Sequence, residues 1–397
     1  MAAPIRYLTI EGKSSRYYLL LGALALVTLV GVFAAHYMEV HGHVVTGMNN
    51  QVVWGMPHVF AIFLIVAASG ALNVASMGSV FGRTEYKSLG RLSALLAVAL
   101  LVAGLGVLVL DLGRPDRLIV AMTVYNFKSI FAWNIFLYTG FLGLVAIYLW
   151  MMFEKRMNRF SKIVGTVAFG WRFILTTGTG SIFGFLVARQ AYDAAIMAPM
   201  FILMSLSLGT AVFILVLCAA GYWTGREPAE QLIYRLKRVL AIFVMAVLYF
   251  VLVYNLANLY ATEHHGVEAF ILTGGGIYTT LFWLVQVVLG SMVPLALFYL
   301  PQFSALKWTL IGSALVIVGG FAQLYVILIG GQAYPLTIFP GFDVTSSFFD
   351  GAVNSYAPSL PEILLGVGGL AMSMLMIAVA IKVLPFLPER LDNNPPS

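Results

Sequence analysis

The sequence predicts an all-α integral membrane protein of about ten transmembrane helices, and three observations carry that expectation. Of its 397 residues, 61% are hydrophobic and 10% charged, against about 45–50% and about 25% in an ordinary soluble domain. Ten runs of mostly apolar residues recur along the chain, each close to the ~20 residues that span a bilayer. Eighteen of the 22 Lys and Arg fall on one side of the topology that those runs imply. The same composition excludes a disordered chain, a coiled coil and a disulfide scaffold.

The runs are 17–38, 55–80, 89–110, 129–152, 163–188, 196–222, 239–261, 276–299, 308–329 and 362–384, which make 1–397 a single transmembrane domain. The first is too long for a signal-peptide core and no convincing cleavage site follows it, so it is read as a helix. Arg172 interrupts the fifth, whose crossing is expected to start near Trp171. Ten spans put both termini on one side. The Lys and Arg excess there places the termini in the cytoplasm, with Arg114, Arg117, Lys128 and Arg189 on the other side. That asymmetry accounts for the pI of 9.3 without nucleic acid. The long connections 39–54, 111–128 and 330–361 are all outer; the last carries Asp343 and Asp350 but no Lys or Arg. It reads as a surface loop that packs on the outer face or meets a partner. Lacking a large soluble domain, the protein leaves any soluble chemistry to another subunit. Cys218 is the single cysteine, so neither an internal disulfide, an iron–sulfur cluster nor a c-type haem is expected.

The polar residues collect at the outer helix ends. All six histidines, His36, His41, His43, His58, His264 and His265, lie there. Those around the first two spans share an interfacial zone with Glu39, Asn49, Asn50, Gln51 and Trp54. The third span ends in Asp111-Leu112-Gly113-Arg114-Pro115. Asp111 and Arg114 are spaced to meet on one helix face, either as an interfacial salt bridge or as a group that takes up and releases protons. Within the spans, Asn73, Asn134, Asn255, Asn258, Gln286 and Gln323 suit interhelical hydrogen bonds. Arg172 needs a partner, water or a path to the cytoplasmic interface. The runs Gly78–Gly82 and Gly180–Gly184 both read GxxxG, on spans of opposite direction, hinting at an inverted repeat. Two readings are open on the residues alone: a redox subunit binding a lipid-soluble quinone at the outer face, or a transporter with a polar path through the bundle. A b-type haem ranks below both, because the histidines sit at helix ends, and no bound metal is expected.

The segment Asn50-Gln51-Val52-Val53-Trp54-Gly55-Met56-Pro57-His58, the Asp111-Leu112-Gly113-Arg114-Pro115 stop and the last helix running into Leu384-Pro385-Phe386-Leu387-Pro388 resemble the NrfD polysulfide-reductase membrane-subunit family. The likeness covers nearly the whole sequence and is nearest to the ten-span branch of the HybB and DsrP subunits, the DsrP type of dissimilatory sulfur metabolism above all. It implies a multi-pass protein of a bacterial or archaeal cytoplasmic membrane with NrfD-like helical bundles. It also implies a site near the periplasmic face for menaquinone or ubiquinone as substrate. On that resemblance Asn50, Trp54 and His58 bind the quinone, and His58, Asp111 and Arg114 carry its proton chemistry. Where relatives often read Ser-Pro-Met-Ser-Trp-Gly, this sequence has Ser129-Ile130-Phe131-Ala132-Trp133-Asn134, which departs from the pattern. The implied partners are a periplasmic ferredoxin-like iron–sulfur subunit and other membrane or cytochrome subunits. Arg172 is expected on a proton path if the complex conserves energy.

Overall fold

Among the described residues ten long helices follow one another: α1 (Ser15–His41), α2 (Met56–Ser79), α3 (Gly90–Leu110), α4 (Ile130–Phe153), α5 (Ser161–Gly184), α6 (Met197–Thr224), α7 (Glu230–Tyr260), α8 (Ile277–Tyr299), α9 (Leu306–Ala333) and α10 (Leu360–Val383). They come from a computed structural model that describes residues 6–10, 14–226, 228–336 and 352–389; Asp343 and Asp350 lie outside the described residues. Among the described residues, nine of these helices are long and apolar enough to cross a membrane. Helix α5 has the same length, 24 residues, but Arg172 and several Thr, Ser and Gly lower its hydropathy. Helix α7 starts at Glu230, ahead of its apolar run, because Leu232, Ile233, Leu236 and Leu240 keep one face buried there.

Helices α2–α5 pack as one four-helix group and α6–α9 as a second, with α2 seated against both α6 and α9. Helices α1 and α10 pair with each other, and α10 leans on α2 and α3. The most apolar stretch of α2 is 100% buried, against 17% for α1, so α2 is the hub and α1 meets lipid. A short antiparallel pair, β1 (Tyr7–Leu8) with β2 (Leu387–Pro388), ties the two ends of the protein together, and Lys382 Nζ donates to Ile10 O at 2.7 Å. The segments 7–10 and 382–388 therefore lie together at one end of the bundle, the termini end. The opposite, far end carries the connection from α1 to α2 and the end of α3.

The hub is built by close approach. A Cβ on Gly70 of α2 would lie 1.6 Å from Ser205 O of α6, and one on Gly209 would lie 2.1 Å from the Gly70 carbonyl carbon. Without an outward hydrophobic drive in lipid, helices associate by such small-residue packing. Ser93 interrupts the ladder of α2, accepting from Ala75 N (2.9 Å) and donating to Ala71 O (2.6 Å), and the helix breaks at Leu72. Both GxxxG runs make a close backbone approach, Gly78 against the Tyr86–Lys87 turn and Gly180 against the Met197–Ala198 backbone. Helix α2 ends at Ser79, and Gly82 turns the backbone at φ +67. Beyond α3, the helix Leu118–Thr123 exposes Ile119, Val120 and Met122, the side chains of an element lying in the membrane interface.

Gly209→Ala forces backbone apart at the hub and should cost at least about 1–3 kcal/mol, read as a lower Tm of the solubilised protein. Gly106→Ala, which meets nothing within 4 Å, should leave Tm unchanged.

Candidate functional site at the far end

The site begins with how the backbone enters α2. Asn49 Oδ1 accepts from Gln51 N and Val52 N at 2.9 Å, a local turn of the kind Asn favours. Gln332 at the end of α9 then clamps the next two residues: its Oε1 accepts from Val53 N and Trp54 N, and its Nε2 donates to Trp54 O, all at 3.0 Å. Arg189 braces both sides, donating to Gln332 O (3.0 Å) and Gln51 O (2.6 Å). Below them Glu362, fully buried, accepts from Gly47 N, Ser359 N and Tyr356 Oη, each at 2.7 Å. Tyr356 Oη in turn accepts from Met56 N. Gly55 is required here, since a Cβ would lie 2.3 Å from Glu362 Oε1.

This scaffold fixes Trp54 and, one turn on, His58. The Trp54 ring stacks with those of His58 and Tyr192, both at 6.4 Å, and meets Phe131 and Phe183 edge-on at 5.9 and 5.8 Å. Antiparallel packing of α2 on α3 brings the first turn of one to the last residue of the other. His58 Nδ1 lies 2.8 Å from Asp111 Oδ2, and His43 Nε2 lies 3.7 Å from Asp111 Oδ1 and 3.1 Å from its carbonyl oxygen. The Asp111 side chain is 1% exposed, His58 17% and His43 33%, so the group grades from core to solvent. Neither Asp111 carboxylate oxygen has an aligned hydrogen bond, so the 2.8 Å approach of His58 Nδ1 is a short contact outside hydrogen-bond alignment. Leu110, Leu112 and Phe131 beside this group are exposed, which opens its flank toward lipid.

Arg114 corrects the sequence expectation. It does not meet Asp111 but forks onto Asp116 at 2.9 and 2.8 Å, both side chains exposed. The helical spacing rule fails because α3 ends at Leu110 and Gly113 turns the backbone at φ +54. That hydrogen bond lowers the Asp116 carboxyl and raises the Arg114 guanidinium. Asn50 is exposed on the entry loop while Gln51 is buried. Arg172, in the middle of α5, is 1% exposed: it donates to Ser69 O at 3.2 Å and lies between the Phe169 and Phe173 rings, with Nε unpartnered. It points into the bundle and does not reach the interface. Asn134 makes an interhelical bond, donating to Gly178 O at 3.0 Å.

His36, His41 and His265 are exposed, and His264 lies on the other four-helix group. Among the described residues no three His, Cys, Asp or Glu converge in metal-ligand geometry. Sequence reasoning did not single out Gln332, Arg189, Tyr192 or Glu362 as site residues. Only Glu362 carried a local signal, Ser359-Leu360-Pro361-Glu362, the spacing of a capping box. Burial lowers the Arg189 guanidinium and raises the Tyr192 phenol.

The polysulphide reductase, NrfD family matches residues 44–335. The protein is 30% identical to the Hdr-like menaquinol oxidoreductase integral membrane subunit of Archaeoglobus fulgidus, over 97% of its own length and 98% of that protein. It is 25% identical to the NrfD protein of Escherichia coli, over 71% and 96%. It is 21% identical to the menaquinone reductase integral membrane subunit of Nitratidesulfovibrio vulgaris, over 92% and 90%.

Glu362→Gln keeps an oxygen for Gly47 N and Ser359 N only by turning its NH2 onto Tyr356 Oη, which loses its acceptor, and should cost about 1–3 kcal/mol. The check is amide hydrogen exchange, which should quicken at Gly47 and Met56 while the α6–α9 group is unaffected.

Proposed function

The protein belongs to the polysulphide-reductase NrfD family and is a multi-pass protein of the cytoplasmic membrane, and from that premise we propose that it is the quinone-interacting membrane subunit of a multi-subunit redox complex. The carrying observation is the buried Asp111 carboxylate held on His58 beside the Trp54 ring, with an apolar flank open to lipid. The names of the relatives, menaquinol oxidoreductase and menaquinone reductase subunits, support the same reading.

The geometry suits the chemistry. Oxidising a quinol removes two electrons and two protons. The site therefore needs a flat apolar wall, hydrogen-bonding groups for ring oxygens and a proton exit. Trp54 and Phe131 supply the wall. Asp111 stands 2.8 Å from His58 Nδ1; once that contact aligns around the substrate it selects the tautomer in which Nε2 is the acceptor, the arrangement in which a carboxylate orients a general base. One ring hydroxyl gives its proton to His58 Nε2 while Asp111 balances the imidazolium charge, and that proton leaves to water past the part-exposed His43; the second hydroxyl, at the exposed Asn50 rim, gives its proton to water. Quinone reduction runs the same steps backwards. Asn50, at the rim of the entry loop, is assigned to the second ring oxygen. Arg114, bound to Asp116, belongs to the rim and not to the proton route.

Cys218 cannot ligate an iron–sulfur cluster by itself, so the electrons pass to a partner, in this reading a ferredoxin-like iron–sulfur subunit seated with cytochrome or other membrane subunits. The excess of Lys and Arg at the termini end makes that end cytoplasmic and the far end, with the site and the partner's seat, periplasmic. Arg172, with Thr176, Thr179 and Tyr138 along the same buried face, marks a proton path through the first group if the complex conserves energy. Service in sulfur or sulfite metabolism, in the manner of DsrP, rests on the motif likeness at Asp111–Pro115 and the last helix.

Quinone-analogue binding to the assembled complex tests the reading. Wild type should quench and saturate, while His58→Ala and Asp111→Asn should each lower quinol-linked electron transfer by about 10²–10⁴ with assembly intact. Saturable binding that is indifferent to both changes moves the site elsewhere. No binding to folded wild type favours solute transport through the bundle.

A further inference from the structure

The second four-helix group contains a cavity of ≈ 40 Å³ between α7, α8 and α9, room for about three waters at ~10–15 Å³ each. Glu268, on the connection from α7 to α8, lines it and is 3% exposed. Its Oε1 accepts from Asn258 Nδ2 at 2.7 Å, and its buried Oε2 has no partner. Three amides line the same space, Asn255, Gln286 and Gln323, at 8%, 5% and 4% exposure. Asn255 spends its NH2 on Val251 O, leaving its oxygen for a guest.

At 1.5 Å per residue these groups form a ladder: Asn258 stands ~3 Å from the far end of α7, Asn255 ~8 Å, Gln286 and Gln323 ~14 Å down α8 and α9. Three π-helical stretches, Phe270–Gly274, Leu281–Met292 and Val326–Gly330, border the cavity through Ile271, Phe282 and Val326. Such widened turns recur at functional sites.

We propose that this cavity is a hydrated proton-binding chamber, in which the Glu268 carboxyl takes and releases a proton and the three amides hold the water that carries it. The step is an acid–base exchange, carboxylate plus proton giving carboxylic acid, with water at the far end as donor and acceptor. An amide both donates and accepts, so a chain of amides and waters serves either direction of transfer. The unpartnered Oε2 is the atom that bears the proton. His264 and Tyr254 are the titratable neighbours that act on Glu268, and the Tyr334 hydroxyl reaches Gly266 beside it. His264 Nδ1, 2.6 Å from Gln190 O, stands where the connection meets the far-end surface.

Burial raises the Glu268 carboxyl above its ordinary 4.5. The folded state therefore binds the proton more tightly than the unfolded one. Its contribution to stability is present below pH 4.5 and is lost as pH rises through the folded value.

The test is infrared difference spectroscopy of the complex in lipid nanodiscs across a pH titration. A protonated-carboxyl carbonyl band should persist above pH 4.5, shift in D2O and vanish in Glu268→Gln, while quinone-analogue affinity stays unchanged. Survival of the band in Glu268→Gln overturns the proposal, as does its loss on adding sodium at constant pH, which would make the cavity a cation site. Should Glu268→Gln fail to fold, Glu268→Asp should move the band's frequency and titration midpoint; an unmoved band overturns the proposal equally.

Discussion

The arrangement depends on one constraint, the complete burial of the most apolar stretch of α2. A helix wrapped on all sides has nowhere to move, and the crossing of Gly70 over Gly209 sets how closely the two four-helix groups approach. Both ends of α2 are thereby fixed. At the far end its first turn has to carry His58 against the last residue of α3. The loop leading into it has to lie where Gln332, Arg189 and Glu362, from three other parts of the sequence, can satisfy its backbone. In a bilayer an irregular strand of backbone at this depth is tolerated only where protein groups meet its N–H and C=O.

That scaffolding marks the limit of what the sequence discloses. The spans are legible because length and apolarity act locally, and His58, Trp54 and Asp111 are legible because they sit at helix ends in short motifs. The pairing of those residues is not. Asp111 and Arg114 are three apart and look paired, yet Gly113 bends the backbone and Asp116 takes the arginine. The real partner of Asp111 arrives from the preceding span. Gln332 reaches Trp54 across 278 positions and Glu362 reaches Gly47 across 315, and no spacing rule operates over such intervals. Glu268 escaped notice for a related reason: it stands in a short connection, and only the fold turns it inward beneath α7.

The two polar centres share a wall. Tyr192 stacks on Trp54 on one side and donates to Leu328 O at 2.9 Å behind it. Its neighbour Ala191 lines the cavity and accepts from Tyr254 Oη at 2.6 Å. Gln332, which clamps Trp54, directly follows Gly331, another cavity residue. A shift of the 189–192 segment would therefore be felt in both places, through hydrogen bonds to backbone and not through a long relay of side chains.

The centres solve opposite problems in the cost of burying charge. A carboxyl taken out of water without hydrogen bonds costs several kcal/mol, and a protein that needed only stability would replace it with an apolar residue. Asp111 keeps that liability beside two imidazoles that grade out to solvent, which is sensible where protons must enter and leave quickly. Glu268 keeps it behind a wall of amides with one oxygen bare, which is sensible where a proton has to be held until something moves. Fold stability alone explains neither carboxyl. On the two proposals, each is accounted for once the proton is counted among the groups its site binds.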